Sequence, residues 1–216
     1  VEGHDRQATG IDLGADFALF AIPKASSLTD PDDTSREIVE GAIEAASASA
    51  APGRAARTAT PYTVSKGRSE HQPVAVLVGG VDQAEDIGVL DRRARALMQA
   101  FWPGPLTIIV PRRSGLGWEL GEPSTTIGLR WPASDLVETV ARAVGPLAVT
   151  SANRHGEPTP ALADEAAAAL ASEVAVTVDR GPLEGSASTV VDLVGPRATL
   201  LREGDIGDAE VAAALG

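Results

Sequence analysis

Apolar residues along the chain fall into short blocks with different periods. Residues 1–30 hold one apolar patch, Phe17 to Ile22, and no clear period. Asp32-Asp33-Thr34-Ser35 then reads as a helix start, with acidic side chains at the positive end of the dipole. Ile38, Ala42, Ile43 and Ala46 keep helical spacing behind it. Residues 47–65 are rich in Ala, Ser, Arg and Thr without apolar period, and Pro52-Gly53 breaks any helix, which predicts a flexible loop or linker.

From Lys66 the pattern sharpens. Val74–Val78 is a fully apolar run that predicts a buried strand. Asp91–Trp102 reads as a helix with Ala94, Leu97, Met98 and Phe101 on one face. Further strands are predicted at Leu106–Val110, Thr126–Arg130, Leu147–Thr150, Val174–Val178, Val190–Leu193 and Thr199–Leu201. Helices are predicted at Leu136–Val144, Ala161–Ala171 and Gly207–Leu215. Interspersed strands and helices give an α/β class. Successive strands without an intervening helix make the sheet mixed. No internal repeat is present.

Composition narrows the chemistry. Of 216 residues, 44% are hydrophobic, but only three Trp, one Tyr and three Phe occur, so the core is built from Val, Leu, Ile and Ala. The absence of cysteine excludes disulfides, thiolate nucleophiles and Cys-based zinc sites, and it fits a cytoplasmic protein. No apolar run approaches the roughly 20 residues of a membrane span, and the N-terminus lacks a signal-peptide layout. A formal net charge of −12 argues against stable, sequence-independent nucleic-acid binding. Local arginines can still build a pocket for a small anion.

Four segments carry candidate chemistry. Lys66-Gly67-Arg68 sets two cations around a glycine, which suits phosphate or carboxylate but also a solvated turn. Phe101-Trp102-Pro103-Gly104-Pro105-Leu106-Thr107 joins a helix to a strand and reads as a rigid corner that can shape a pocket floor. In Thr126–Arg130, Ile127 and Leu129 are expected to face the core, with Thr126, Gly128 and Arg130 on the other face. Arg130 is then a ligand clamp or a surface arginine. Pro146–Asn153 runs a buried strand into Thr150-Ser151-Ala152-Asn153, followed by Arg154-His155-Gly156-Glu157-Pro158-Thr159. Strand ends of α/β sheets collect ligands, and hydroxyl and amide groups there can meet phosphate, ribose or a base edge. A plain turn favours the same residues. Three histidines without metal spacing, and the lack of a phosphate-loop, dinucleotide or nucleophile-elbow motif, leave zinc-hydrolase and nucleophilic mechanisms poorly supported.

In order, these segments resemble the YrdC-like family. The matching pieces are Lys66-Gly67-Arg68 with Gln72-Pro73, Phe101–Thr107, Thr126–Pro132, Thr150–Gly156, Ser188–Leu193 and Leu201–Gly204. The resemblance implies a YrdC/RibB-like twisted mixed sheet with flanking helices and an open concave face, over residues 31–216, with residues 1–30 as an extension. It implies L-threonylcarbamoyladenylate synthase activity. L-threonine, bicarbonate and ATP would give threonylcarbamoyl-AMP and pyrophosphate with Mg²⁺, and a separate transferase complex would carry the group to tRNA. It places Lys66, Arg68, Gln72, Thr126, Ser151, Asn153, Thr159 and Arg202 on ATP, and Arg130 and Ser188 on threonine. It assigns no nucleophile or base.

The chain departs from the family at one place. A strand ending in Pro-Thr-x-Thr-x-Tyr-Gly, with a turn and helix, normally precedes Lys-x-Arg; here residues 47–65 offer only Thr60-Pro61-Tyr62-Thr63-Val64-Ser65. The alternative reading is therefore a nucleotide-binding pseudoenzyme with impaired turnover. A strand from residues 47–65 docked beside the Val74–Val78 strand would favour the enzyme.

Overall fold

The apolar run beginning at Val74 lies in the interior of a six-stranded sheet. In a computed structural model the described residues are 74–116, 125–149, 151–154, 157–170 and 187–216. Their elements are β1 (Ala75–Leu77), α1 (Val81–Ile87), α2 (Arg92–Phe101), β2 (Leu106–Pro111), β3 (Thr126–Arg130), α3 (Asp135–Val144), β4 (Leu147–Val149), α4 (Ala163–Leu170), β5 (Thr189–Asp192), β6 (Thr199–Arg202) and α5 (Asp208–Leu215). The strand order is β4-β1-β3-β2-β5-β6. β1 with β3 and β2 with β5 are parallel, while β1 with β4, β2 with β3 and β5 with β6 are antiparallel. The expected mixed α/β sheet is what forms.

One sheet face makes the main core. Val76, Leu106, Ile108, Val110, Ile127, Leu129 and Val191 pack there against Ala94, Leu97 and Met98 of α2 and Val211 of α5. Each such Leu, Ile or Val contributes about 1.5–3 kcal/mol by leaving water. The helices are positioned by local chemistry. Asp91 caps α2 by accepting from the Ala94 N–H at 2.9 Å. Burial acts to raise its pKa, but the Ala94 N–H and Arg93 outweigh this and hold it below the usual value. α1 is tied to α3 twice. The Gln83 side chain accepts from the Gly79 N–H at 2.8 Å and donates to the Ala141 carbonyl at 2.7 Å. Arg142 pairs with Asp82 at 2.6 Å and lowers its pKa.

Most predicted elements recur with ends shifted by one or two residues, as fraying ends do. α1 is the one the sequence reading missed. Val81, Ala84 and Ile87 are its only apolar positions, too few in seven residues to display a period. The predicted helix after Asp32, residues 47–65 and the Val174–Val178 strand lie outside the described residues. β3 and β4 flank β1 on its two edges. Among the described residues β4 and β6 form the sheet edges.

Candidate functional site

The sheet register sorts the strand side chains into two faces. Leu129 sits opposite Ile108, and both belong to the core. Period-two alternation then sends Thr107, Gly128 and Arg130 to the other face. There Gly128 lies opposite Ala75, Arg130 opposite Leu77, and Val190 opposite both Thr107 and Arg202. Thr126, Gly128 and Arg130 thus share the predicted face. Arg130 is a buried side chain rather than a surface one, at 8% exposure.

β6 needs an irregularity to join this face. Its register on β5 shifts between Val190 and Val191, so Arg202, not Leu201, stands opposite Val190. Such bulges re-aim a side chain beside a site. Arg202 then reaches Ser188 twice. Its Nε donates to the Ser188 carbonyl at 2.9 Å and its Nη2 to Ser188 Oγ at 3.1 Å. Ser188 Oγ also pairs with Thr107 Oγ1 at 2.8 Å, and both hydroxyls are fully buried. Next to them, Thr189 Oγ1 donates to the Ile206 carbonyl at 2.7 Å and accepts from the N–H groups of Gly204 at 2.9 Å and Ile206 at 3.1 Å. That buried hydroxyl anchors the turn after Arg202.

The Trp-Pro-Gly-Pro corner braces the same end of the sheet. Arg130 Nε donates to the Gly104 carbonyl at 3.1 Å, and the Gly104 N–H donates to the Trp131 carbonyl at 2.8 Å. The Thr189 N–H reaches the Pro105 carbonyl at 2.9 Å. A Cβ at Gly104 would lie 2.4 Å from the Phe101 carbonyl oxygen, so the corner closes only with glycine. The rigid corner expected from sequence therefore holds Arg130 and the start of β5 in one frame.

Ser151 and Asn153 follow β4 at the other end of β1. Val149 pairs with Ala75, whereas Arg130 pairs with Leu77. Asn153 is 7% exposed, and its amide nitrogen donates to the carbonyls of Arg154 at 2.9 Å and Glu157 at 2.6 Å. Its Oδ1 is buried without a partner among the described residues. Buried acceptors are normally satisfied, so this one suits a ligand N–H or O–H, a base amine or ribose hydroxyl, rather than a phosphate oxygen. Ser151, Thr159 and Thr126 are half-buried. Lys66, Arg68 and Gln72 lie outside the described residues.

The structure thus brings Arg130, Ser188 and Arg202 to one end of one face, and sets Ser151 and Asn153 toward the other end of β1. Thr107 and Thr189 had no assigned role in the sequence reading. Their signal was a hydroxyl next to a run of aliphatic strand residues, which alone does not separate a site from an ordinary strand threonine. The carboxylates with lowered pKa, Asp82 and Asp91, belong to α1 and the α2 cap, outside this cluster. An open depression of about 610 Å³ runs along α3, lined by Asp135, Glu138, Thr139, Arg142 and Ala143, and shares no residue with the cluster. Among the described residues no three His, Cys, Asp or Glu side chains gather as metal ligands, and no helix is long and apolar enough to cross a membrane.

Comparison with known proteins gives a consistent answer. The family model for Sua5, YciO and YrdC, described as "Telomere recombination", matches residues 62–204. A Mycobacterium tuberculosis protein described as "Putative threonylcarbamoyl-AMP synthase" is 41% identical over 153 residues, 70% of this chain and 70% of that protein. The Bacillus subtilis threonylcarbamoyl-AMP synthase is 35% identical over 155 residues, 70% of this chain but 45% of its own length. Among solved structures, Pyrococcus abyssi Sua5 complexed with L-threonine superposes with a TM-score of 0.69 at 27% identity, over 74% of this chain and 48% of that one. Escherichia coli YciO, at 22% identity and a TM-score of 0.61 over 69% of this chain and 74% of its own, shares the fold.

Proposed function

The chain belongs to the Sua5/YciO/YrdC family, and we propose that it is a threonylcarbamoyl-AMP synthase. The observation that carries this reading is the identity with the mycobacterial relative over 70% of both chains. The grouping of Arg130, Ser188 and Arg202 on one sheet face supports it from the geometry.

In this reading L-threonine and bicarbonate lose water to give the N-carboxylated amino acid. One oxygen of that carbamate attacks the α-phosphorus of ATP, and pyrophosphate leaves. The protein supplies position and positive charge rather than a covalent nucleophile. Arg130, held by Gly104 and bearing a planar fork, suits the threonine carboxylate. Arg202, held by Ser188, suits the nucleotide; Ser188 is assigned to threonine by family likeness, while its side chain is fully buried with its hydroxyl on Thr107 and Arg202. Thr126, Ser151 and Thr159 serve the nucleotide, and family likeness assigns Lys66, Arg68 and Gln72 to it as well. Asn153 offers its Oδ1, which has no partner among the described residues, to a donor on the base or ribose. Mg²⁺ has no carboxylate cluster among the described residues. It would accompany the triphosphate, as is usual for this ion.

The reading includes a cytoplasmic setting, one domain over residues 31–216, and hand-over of the product to a separate tRNA-modifying transferase. A nucleotide-binding pseudoenzyme is not favoured by relatives named as synthases. The test is pyrophosphate release from ATP with threonine and bicarbonate together, and with each omitted. The expected result is release that requires both. ATP binding without release under any of these conditions would overturn the synthase reading.

A further inference from the structure

We infer that Thr107 is a positioning residue for nucleotide binding, acting on Arg202 through the Ser188 hydroxyl. The inference rests on the reading that Arg202 meets ATP. It begins with a chain of three side chains from three places in the sequence. Thr107 Oγ1 lies 2.8 Å from Ser188 Oγ, and Ser188 Oγ lies 3.1 Å from Arg202 Nη2. Thr107 and Ser188 are both fully buried, while Arg202 is half-buried.

Chemistry fixes one direction in the chain. A guanidinium only donates, so Ser188 Oγ accepts from Arg202. A serine oxygen has a second lone pair, and a buried hydroxyl proton needs an acceptor. The Thr107–Ser188 bond meets that need, with either hydroxyl as donor, and fixes the Ser188 oxygen while it accepts from Arg202. Thr107 is the residue able to fix this geometry, because it stands inside β2 between the core residues Leu106 and Ile108. Its backbone is locked on both sides by β3 and β5. Without the Thr107 hydroxyl, Ser188 is free to change rotamer. Arg202 then keeps its Nε contact to the Ser188 carbonyl at 2.9 Å but loses the Nη2 contact that helps to set its guanidinium plane. Each such contact removed loosens the orientation of a planar fork.

Two substitutions separate this role from a packing role. Thr107→Val keeps the shape and removes the hydroxyl; Thr107→Ser keeps the hydroxyl and leaves a methyl-sized gap. Thr107→Ala is a second hydroxyl-free variant should valine fail to fold. ATP titration by calorimetry, thermal melting and pyrophosphate release are measured on the same preparations of the full chain. The expected result is that Thr107→Val binds ATP more weakly by up to about tenfold, the loss that one hydrogen bond carries. Thr107→Ser should bind like the parent although it melts lower. Parent-like ATP affinity in Thr107→Val overturns the inference, as does weakening in both variants in proportion to their loss of melting temperature. A parent that binds no ATP overturns both the inference and the synthase reading. ATP binding that depends on the Thr107 hydroxyl, without pyrophosphate release, sustains the inference and overturns the synthase reading alone.

Discussion

Gly204→Ala should damage the site through a single carbon atom. A Cβ at Gly204 would lie 2.0 Å from the Ala187 carbonyl oxygen, 2.7 Å from Thr189 N and 2.8 Å from Ser188 C. All three are backbone atoms of the segment entering β5, which is pinned by the Thr189 N–H bond to Pro105. The turn at Gly204 must therefore give way, by about 1–1.5 Å to restore ordinary contact. That displacement stretches the bonds from Gly204 N and Ile206 N to Thr189 Oγ1, now 2.9 and 3.1 Å, past useful length. Two lost hydrogen bonds at about 0.5–1.5 kcal/mol each, with about 1–3 kcal/mol of overpacking, give a destabilisation of roughly 2–6 kcal/mol. In a domain of this size each kcal/mol lowers Tm by about 2–4 °C, so 3 kcal/mol lowers it by about 6–12 °C. Arg202 stands two residues upstream and should be pulled from Ser188, so ATP affinity falls as well. Gly195→Ala is the control, since its Cβ would meet nothing closer than the Arg197 carbonyl oxygen at 3.8 Å. Its expected change is within about 0.5 kcal/mol. Differential scanning calorimetry of the three proteins decides the matter. Melting of Gly204→Ala within about 2 °C of the parent would refute the close-packing argument.

Two further outcomes follow from the same geometry. Arg130→Lys should raise the threonine concentration for half-maximal pyrophosphate release by about tenfold or more, because lysine keeps the charge but cannot hold Gly104 and a carboxylate with one planar group; an unchanged threonine dependence would exclude the fork. Asp91→Ala should cost about 1 kcal/mol by uncapping α2. Because the Asp91 pKa is lowered on folding, its contribution is present above the unfolded value near 3.8 and is lost as pH falls through the lower folded value. Urea melts should therefore show a constant gap between parent and variant from pH 7 to about 5 that narrows below pH 4.

Much of the architecture was legible because it rests on short-range patterns. The short, β-branched run Leu106–Val110 and the alternating Thr126–Arg130 read as strands, and Asp91 before Ala94, Leu97 and Met98 states a helix and its start. α1 was not legible, because seven residues with three apolar positions carry no period and are held by Gln83 and Arg142 contacts to α3. The site was legible as a set of motifs but not as a geometry. Arg130 had the correct face but not its burial, which depends on the corner at Gly104, 26 residues earlier in the chain. The partnership of Thr107 with Ser188 spans 81 residues, a separation no local pattern reports.

The bulge in β6 shows how the two demands on this sheet are reconciled. In a regular strand residues 200 and 202 share a face. Leu200 packs against the main core through its pairing with Val191. A regular β6 would therefore aim Arg202 into the same apolar layer, where an uncompensated guanidinium is costly, and would set Leu201 opposite Val190. The register shift between Val190 and Val191 adds one residue and exchanges these two fates. Leu201 becomes exposed, at 42%, and Arg202 crosses to the face that carries Thr107 and Arg130. The shift persists because Arg202 is tied to Ser188 and because Thr189 holds Gly204 and Ile206 just beyond it. Leu200-Leu201-Arg202-Glu203-Gly204 thus serves the core with one residue, the site with another, and the anchor with a third. A regular alternation predicts only the first of these, which is why Arg202 could be named from motif likeness but placed only by the register.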